Sequence, residues 1–384
     1  MTKIDPVAYA QDLIRRPSVT PVDAGALDIL QASLDALGFK SRRMPFGEVD
    51  NLYSRLGTDS PHFCFAGHTD VVPTGDPEHW ADGPFDAKIK NGFLFGRGAA
   101  DMKGAIAAFI SALTDSIAEN GPPKGSISLL ITGDEEGPAI HGTKAVLEAL
   151  DEEGEIFDHV IIGEPTCAQS MGDMLKQGRR GSMNGLIRVR GSQGHVAYPE
   201  RFSNPITPLV AILGALKEKP LDEGNEFFGP SNLEITTVDV GNPATNVTPE
   251  IATAKFNIRF NTEHTSSSLK AWIGQMCADA AKDFKGSVDL EFQVSGEAFL
   301  TPPGEFTELV RDAAEAVTGQ RPVQSTTGGT SDARFFKDYA QVLDFGLVGA
   351  SMHKIDENVP VADILTLTQI YRRVLDTYFA RFAK

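Results

Sequence analysis

The chain has 384 residues, 41.3 kDa and 41% apolar residues, enough for more than one core, so two domains are the default expectation. A net charge of −17 and a pI near 4.9 argue against nucleic acid and anionic membrane as partners, because both require a positive footprint. Cys64, Cys167 and Cys277 lack C-x-x-C spacing and cannot complete a disulfide framework. With no apolar leader after Met1 and no run of eighteen apolar residues, the expectation is a soluble, cytoplasmic protein.

Asp5-Pro6 has the form of a helix cap with proline at the first helical position, and a second helix is predicted over 26–37, ended by Gly38. Strands and helices then alternate to about residue 175. Three stretches in this region share one grammar: 63–68 ending in Gly67-His68, 126–132 followed by Gly133-Asp134-Glu135-Glu136, and 159–164 ending in Gly163-Glu164. Each is a short apolar run with a glycine and then a ligand-type residue, the way an open α/β sheet presents chemistry at the carboxyl ends of its strands. Asp101 stands at the start of a predicted helix whose body, 105–110, is small and apolar, as suits a helix packed on a sheet.

From Met183 the pattern changes to strand 183–190, helix 205–217, strands 232–240 and 251–261, helix 266–284 and strand 288–294. That order, βαββαβ, is the ferredoxin-like signature, and it lies between hinge-like sequences at 178–181 and 301–304. Helix 306–317, strand 342–345 and a long amphipathic helix over 361–382 resume the first style. The fold class predicted is α/β. A catalytic domain with a central mixed sheet flanked by helices, over 1–180 and 297–384, is interrupted by an inserted domain at 181–296.

A hydrolytic metal site needs hard or borderline ligands from separate elements and an open position for water. His68 and Asp70 fall on one side of an extended segment, so Asp70 can accept a hydrogen bond from the ring nitrogen of His68 that faces away from a metal. In Gly96-Arg97-Gly98-Ala99-Ala100-Asp101 an acid replaces the third glycine of a dinucleotide fingerprint and would repel a pyrophosphate. As a ligand it makes sense, since one carboxylate can join two cations about 3.5–4 Å apart. Adjacent Glu135 and Glu136 repel each other unless cations neutralise them, and one can bind metal while the other faces the attacking water. Glu164 and His353 complete the set. Any of these alone has an ordinary reading as a cap, a surface acid or a satisfied histidine; together they suit zinc, cobalt or manganese. His62, His79, His141, His159 and His264 are read as surface histidines, whereas His195, set among glycine and aromatic residues at 191–199, could reach into an active site from outside.

These residues resemble the co-catalytic zinc exopeptidase and deacylase family that includes acetylornithine deacetylase, aminoacylase and glutamate carboxypeptidases. The likeness is carried by Gly67-His68-Thr69-Asp70, Gly96 to Gly104, Thr132 to Ala139, Gly178-Arg179-Arg180-Gly181-Ser182, Gln193 to Pro199, Gly328 to Asp332 and the His353 segment. Gly137-Pro138-Ala139 and the paired arginines favour its desuccinylase branch. The resemblance implies two zinc ions per subunit, with cobalt a substitute: His68, Asp101 and Glu164 on one, Asp101, Glu136 and His353 on the other. It further implies Glu135 as general base, Asp70 orienting His68, and a homodimer through the inserted domain in which His195 serves the other subunit's site.

The substrate implied is a small N-succinyl diamino acid with several carboxylates, which an acidic protein must meet with cations. Arg179 and Arg259 are the candidates, since guanidinium forks bind carboxylates bidentately, and Ser182, Asn246 and Thr330 are candidate hydrogen-bonding residues. Thr245 and Thr248, beside Asn246, depart from the family pattern. The alternatives are an acetylornithine deacetylase, aminoacylase or carboxypeptidase, and a non-catalytic metal- or peptide-binding protein, which would be expected to lack Glu135 or a ligand.

Overall fold

Apolar residues run almost without interruption through 63–66, 127–131 and 160–162. In the computed structural model, which describes residues 3–383, these runs are adjacent parallel strands buried on both faces. They are the middle of an eight-stranded sheet, in spatial order Lys40–Arg43, Leu52–Leu56, Ser126–Thr132, His62–His68, His159–Ile162, Gln341–Asp344, Met174–Lys176 and Val323–Ser325. Leu52–Leu56 pairs antiparallel with both of its neighbours, and Asp344 faces Lys176 antiparallel, so the sheet is mixed as expected. Phe63, Phe65, Ile127, Leu129 and Ile131 share one core with helices Gly104–Asn120 and Val361–Phe382. There Phe65 stacks on Phe109 at 4.0 Å between centroids and meets the edge of Tyr371 at 5.6 Å.

The glycines at two strand ends have a steric cause. A Cβ on Gly67 would lie 2.3 Å from Met102 Cε, and one on Gly163 would lie 2.7 Å from the same atom. The segment carrying Asp101 therefore lies directly over the ends of both strands because neither has a side chain there. Met102 Sδ accepts from the His68 N–H at 3.4 Å, a contact that also fixes this approach.

The described residues divide into two units. One runs to Gln177 and resumes over Thr301–Ser325 and from Ser331; the other is Gly178–Leu300 with Thr326–Thr330. In the second unit, strands Asn232–Asp239, Ile251–Phe260, Gly181–Arg190 and Ser287–Gly296 lie side by side in that order, each antiparallel to its neighbour. With helices Ile206–Lys217 and Ser266–Ala280 between them in the chain, this is the βαββαβ motif. Leu209, Ile212, Leu216, Leu269 and Ile273 of the helices pack on Met183, Ile187, Phe256 and Ile258 of the sheet. Thr326–Thr330 joins this unit through Thr326 Oγ1, which donates to the Phe227 carbonyl at 2.6 Å, and through Arg179 Nη1, which donates to the Gly329 carbonyl at 3.2 Å.

Two histidines read as surface groups are buried. His62 is held between the Ile156 carbonyl and Ser128 Oγ, each at 2.7 Å, and His159 bonds the Tyr378 hydroxyl at 2.9 Å against Phe306 and Phe382. Each begins a central strand, where neighbouring elements cover its ring and bond both nitrogens of His62 and Nδ1 of His159. No described helix is long and apolar enough to cross a membrane. Removing the Phe65 ring leaves a cavity that Phe109 and Tyr371 cannot fill. Phe65→Ala is expected to cost about 3–5 kcal/mol in urea unfolding, and a loss below about 1 kcal/mol would contradict this packing account.

Candidate dinuclear metal centre

His68 is the last residue of its strand and is 1% exposed. Its Nδ1 lies 2.9 Å from the backbone carbonyl of Asp70, to which it donates, leaving the lone pair of the neutral ring on Nε2. The Asp70 carboxylate stands farther off, at 3.6 Å from Nδ1, and instead accepts the backbone N–H groups of Glu135 at 3.3 Å and Glu136 at 3.0 Å. Asp70 thus acts twice: its main chain sets the His68 tautomer, and its side chain fixes the acidic loop after Ser126–Thr132.

Asp101 sits in an irregular turn, Ala99–Lys103, that precedes the Gly104–Asn120 helix; its own φ and ψ, −125° and 94°, are non-helical. Its two oxygens part company. Oδ1 is 3.2 Å from His68 Nε2, and Oδ2 is 3.2 Å from His353 Nε2. Glu164 Oε1 adds to the first side, at 3.7 Å from His68 Nε2, and Glu136 Oε1 to the second, at 2.8 Å from His353 Nε2. Donor atoms of His68, Asp101 and Glu164 all lie within 4.8 Å of one another, and so do those of Asp101, Glu136 and His353. His68, Glu135 and Glu136 form a third such group, which brings Glu135 to the mouth of the same cluster.

Electrostatics explain why this arrangement calls for cations. Burial and the neighbouring Glu164 push the Glu135 carboxyl well above its usual range. Burial also opposes the ionised form of Asp101, yet bonds from His353 and His68 outweigh it and hold that carboxyl below its usual range. The histidines respond in turn. Burial works against the charged form of His68, but Asp101 and Asp70 raise its pKa well above the ordinary value, while Asp101 and Glu136 push His353 up to about 10. Among the described residues, Asp101 and Glu136 form ion pairs with imidazoles only, so protons on two rings are the counter-charge for the acids. Nitrogen and carboxylate donors without thiolate fit zinc, cobalt or manganese, whose charge can replace those protons.

Sequence reasoning missed two groups here. Glu357 is fully buried and accepts the backbone N–H groups of Ala100 at 2.9 Å and Asp101 at 3.1 Å; its partner Arg97 is 2% exposed. Asp-Glu-Asn at 356–358 carries no periodicity or spacing that would have singled out Glu357.

The remaining sequence candidates belong to the second unit and are described within it. Arg179 and Ser182 are buried, and Ser182 stands opposite Arg259 in the sheet. Arg259 Nε donates to Asn257 Oδ1 at 3.2 Å, Arg180 Nη1 donates to Asn232 Oδ1 at 3.3 Å, and burial followed by the charge of Arg180 lowers the Arg259 pKa. Among the described residues neither Arg180 nor Arg259 has a carboxylate within ion-pair distance. His195 is exposed on the short strand Gly194–His195, paired with Val247–Thr248. Its Nδ1 accepts the Ala197 N–H at 3.1 Å, which leaves the ring proton on Nε2. Thr248 exchanges hydrogen bonds with the Gly194 backbone at 3.1 and 3.3 Å, a reason for a hydroxyl at that position, and the Asn246 carbonyl accepts from Val196 N–H at 3.0 Å. Thr330 is half-buried beside Gly329.

Comparison with known proteins identifies the family. The model of peptidase family M20/M25/M40 matches residues 64–377. A succinyl-diaminopimelate desuccinylase of Maricaulis maris is 60% identical over 98% of this chain and 97% of its own length. A protein of the same name from a Caulobacter species is 58% identical over 99% and 97%. Among solved structures, a dinuclear metal-binding peptidase of that family from Bacillus subtilis superposes with a TM-score of 0.73 at 15% identity, covering 98% of each chain, a likeness of fold.

Since His353 is held protonated at neutral pH by a pKa near 10, and a metal takes the neutral ring, cation binding must displace protons. Calorimetric titration of metal-free protein with Zn2+ at pH 7, in buffers of different ionisation enthalpy, is expected to show proton release and weaker binding as pH falls. Binding without proton release, or affinity flat from pH 6 to about 8, would contradict the charge-replacement account.

Proposed function

Because the chain belongs to peptidase family M20/M25/M40, we propose that it is a metal-dependent amidohydrolase that cleaves N-succinyl-LL-2,6-diaminopimelate to succinate and LL-2,6-diaminopimelate, a step of lysine biosynthesis. Full-length relatives at 52–60% identity bear the desuccinylase name, and the divided carboxylate of Asp101 is the observation that carries the mechanism. His68, Asp101 and Glu164 would hold one divalent cation and Asp101, Glu136 and His353 the other, zinc being the ion that the donor set suits and cobalt a substitute. Bound there, such cations supply Lewis acidity and lower the pKa of water toward about 7.

The chain's own groups handle the protons. Glu135, beside the ligand Glu136 yet not required as one, takes a proton from the attacking water as its oxygen bonds to the amide carbon. The same carboxyl then delivers that proton to the nitrogen as the C–N bond breaks, since an amine leaves poorly without it. Its elevated pKa in the metal-free site is consistent with a group that can hold a proton between the two steps. His195, with its proton on Nε2, is suited to donate to the developing oxyanion.

Arg179 and Arg259 would bind substrate carboxylates, with Ser182, Asn246 and Thr330 adding hydrogen bonds. The closeness of Arg180 and Arg259, with no acid partner among the described residues of an otherwise acidic protein, supports an anion at that place. A cytoplasmic homodimer through the second unit completes the proposal. Its support is the edge strand Asn232–Asp239 and the exposed Thr207, Val210, Ala211 and Gly214 on one face of Ile206–Lys217.

Glu135→Gln is expected to keep both metal equivalents while turnover falls by about 10²–10⁴-fold or more; retained turnover would defeat the base assignment. Arg259→Met should raise KM about tenfold to a hundredfold with a smaller change in kcat, and an unchanged KM would remove Arg259 from the substrate contacts. Turnover of succinyl-diaminopimelate measured beside acetylornithine decides the acyl group, and preference for acetylornithine would reject this substrate.

A further inference from the structure

Behind Asp101 lies a buried ion pair to which no ligand role falls. Glu357 Oε2 accepts from Arg97 Nη1 at 2.7 Å, and both side chains are almost wholly removed from solvent. The Arg97 N–H donates to the Pro84 carbonyl at 2.8 Å, but the side-chain bonds of this pair run to segments that carry a proposed metal ligand. Glu357 Oε1 accepts the N–H groups of Ala100 and Asp101, and its backbone carbonyl accepts that of Gly96 at 2.9 Å. Arg97 Nη1 donates to the carbonyl of Lys354, the residue after His353, at 3.1 Å, and Nη2 reaches the carbonyl of Pro73, just past His68 and Asp70, at 3.4 Å. The Arg97 guanidinium is also packed over the Trp80 ring at 5.3 Å, which limits its movement.

The turn that presents His353 needs such support. His353 has φ +63° and Asp356 φ +57°, left-handed conformations that a non-glycine residue keeps only where its surroundings over-determine them. A buried charge pair that merely filled space could be replaced by apolar side chains without loss. This one offers polar atoms to three chain segments that apolar groups could not hold.

We propose that Glu357 and Arg97 are positioning residues for the metal centre, clamping the Asp101 turn, the His353 turn and the segment after His68 into one geometry. The inference rests on the reading of Asp101 as the shared ligand. Its strongest effect falls on the Asp101, Glu136 and His353 position, because the clamp bonds Asp101 itself and the residue next to His353. It acts more weakly on the position of His68 and Glu164, which are held by the ends of central strands.

The test is stepwise Zn2+ titration of the metal-free full chain, native and as Glu357→Gln and Arg97→Lys, with chelator competition to resolve two equivalents and urea unfolding of each metal-free protein alongside. Arg55→Met is the control. It breaks the Arg55 pair with Glu155 and its bond to Ser126 Oγ at 2.9 Å, at the opposite end of the parallel strands from His68. One of the two equivalents is expected to lose about tenfold to a hundredfold in affinity in Glu357→Gln and Arg97→Lys, the other much less, and neither in Arg55→Met. Arg97→Lys keeps the positive charge and loses the fork, so it provides the readout even where Glu357→Gln does not fold. Both equivalents unchanged in a folded Arg97→Lys, or an equal loss in Arg55→Met, would overturn the clamp while leaving the two-metal reading intact. A native chain that binds fewer than two Zn2+ would overturn that reading and the clamp with it.

Discussion

Negative charge crowded at the end of a buried sheet is the constraint on which the rest depends. Four acids, Asp101, Glu135, Glu136 and Glu164, converge with two imidazoles, and burial works against the ionised forms of Asp101 and Glu135. Without metal, protonated His68 and His353 partly relieve this repulsion. Two cations, as proposed, would relieve it more completely, with the divided carboxylate of Asp101 as their common ligand. Catalytic competence and stability of the site are thereby one problem. In the proposed mechanism the same charge that neutralises the acids would polarise the substrate, and Glu135 would be left to transfer protons because its neighbour Glu136 would take up the ligand position.

The fold answers this constraint with short range and high definition. Parallel strands His62–His68, Ser126–Thr132 and His159–Ile162 end together, so His68, the Glu135-Glu136 loop and Glu164 arrive at one level. Gly67 and Gly163 let the Met102 side chain lie on those ends, which lowers Asp101 into the centre of the group. Asp70 ties the first strand's ligand to the second strand's loop through two backbone N–H groups. Glu357 and Arg97 reach the same turn from the distant 350s. Each ligand is therefore carried by backbone that a different element immobilises.

Much of the fold is readable in the sequence because continuous apolar runs mark buried parallel strands, and the candidate site because three such runs each end in a glycine and a ligand-type residue. The βαββαβ motif is readable from alternation of strand and helix patterns, but the compact unit that holds it also takes in Thr326–Thr330, which no pattern in the sequence marks. What escaped was tertiary. Glu357 and Arg97 look like ordinary surface charges until the chain is folded around them. His62 and His159 looked exposed because polar neighbours at strand starts hide how deeply they are covered. The spacing points to the Asp70 carboxylate as partner of His68; its carbonyl lies closer, at 2.9 Å, and the carboxylate, 3.6 Å from the ring and still raising its pKa, also accepts two N–H groups of the acidic loop.

The central claim, that Asp101 is shared between two cations, is tested most directly by diffraction from zinc-loaded crystals at the zinc absorption edge. The account predicts two anomalous peaks about 3.5–4 Å apart, one against each oxygen of Asp101, with His68 and Glu164 on one and His353 and Glu136 on the other. A single peak, or a pair with Asp101 bound to only one of them, would contradict it.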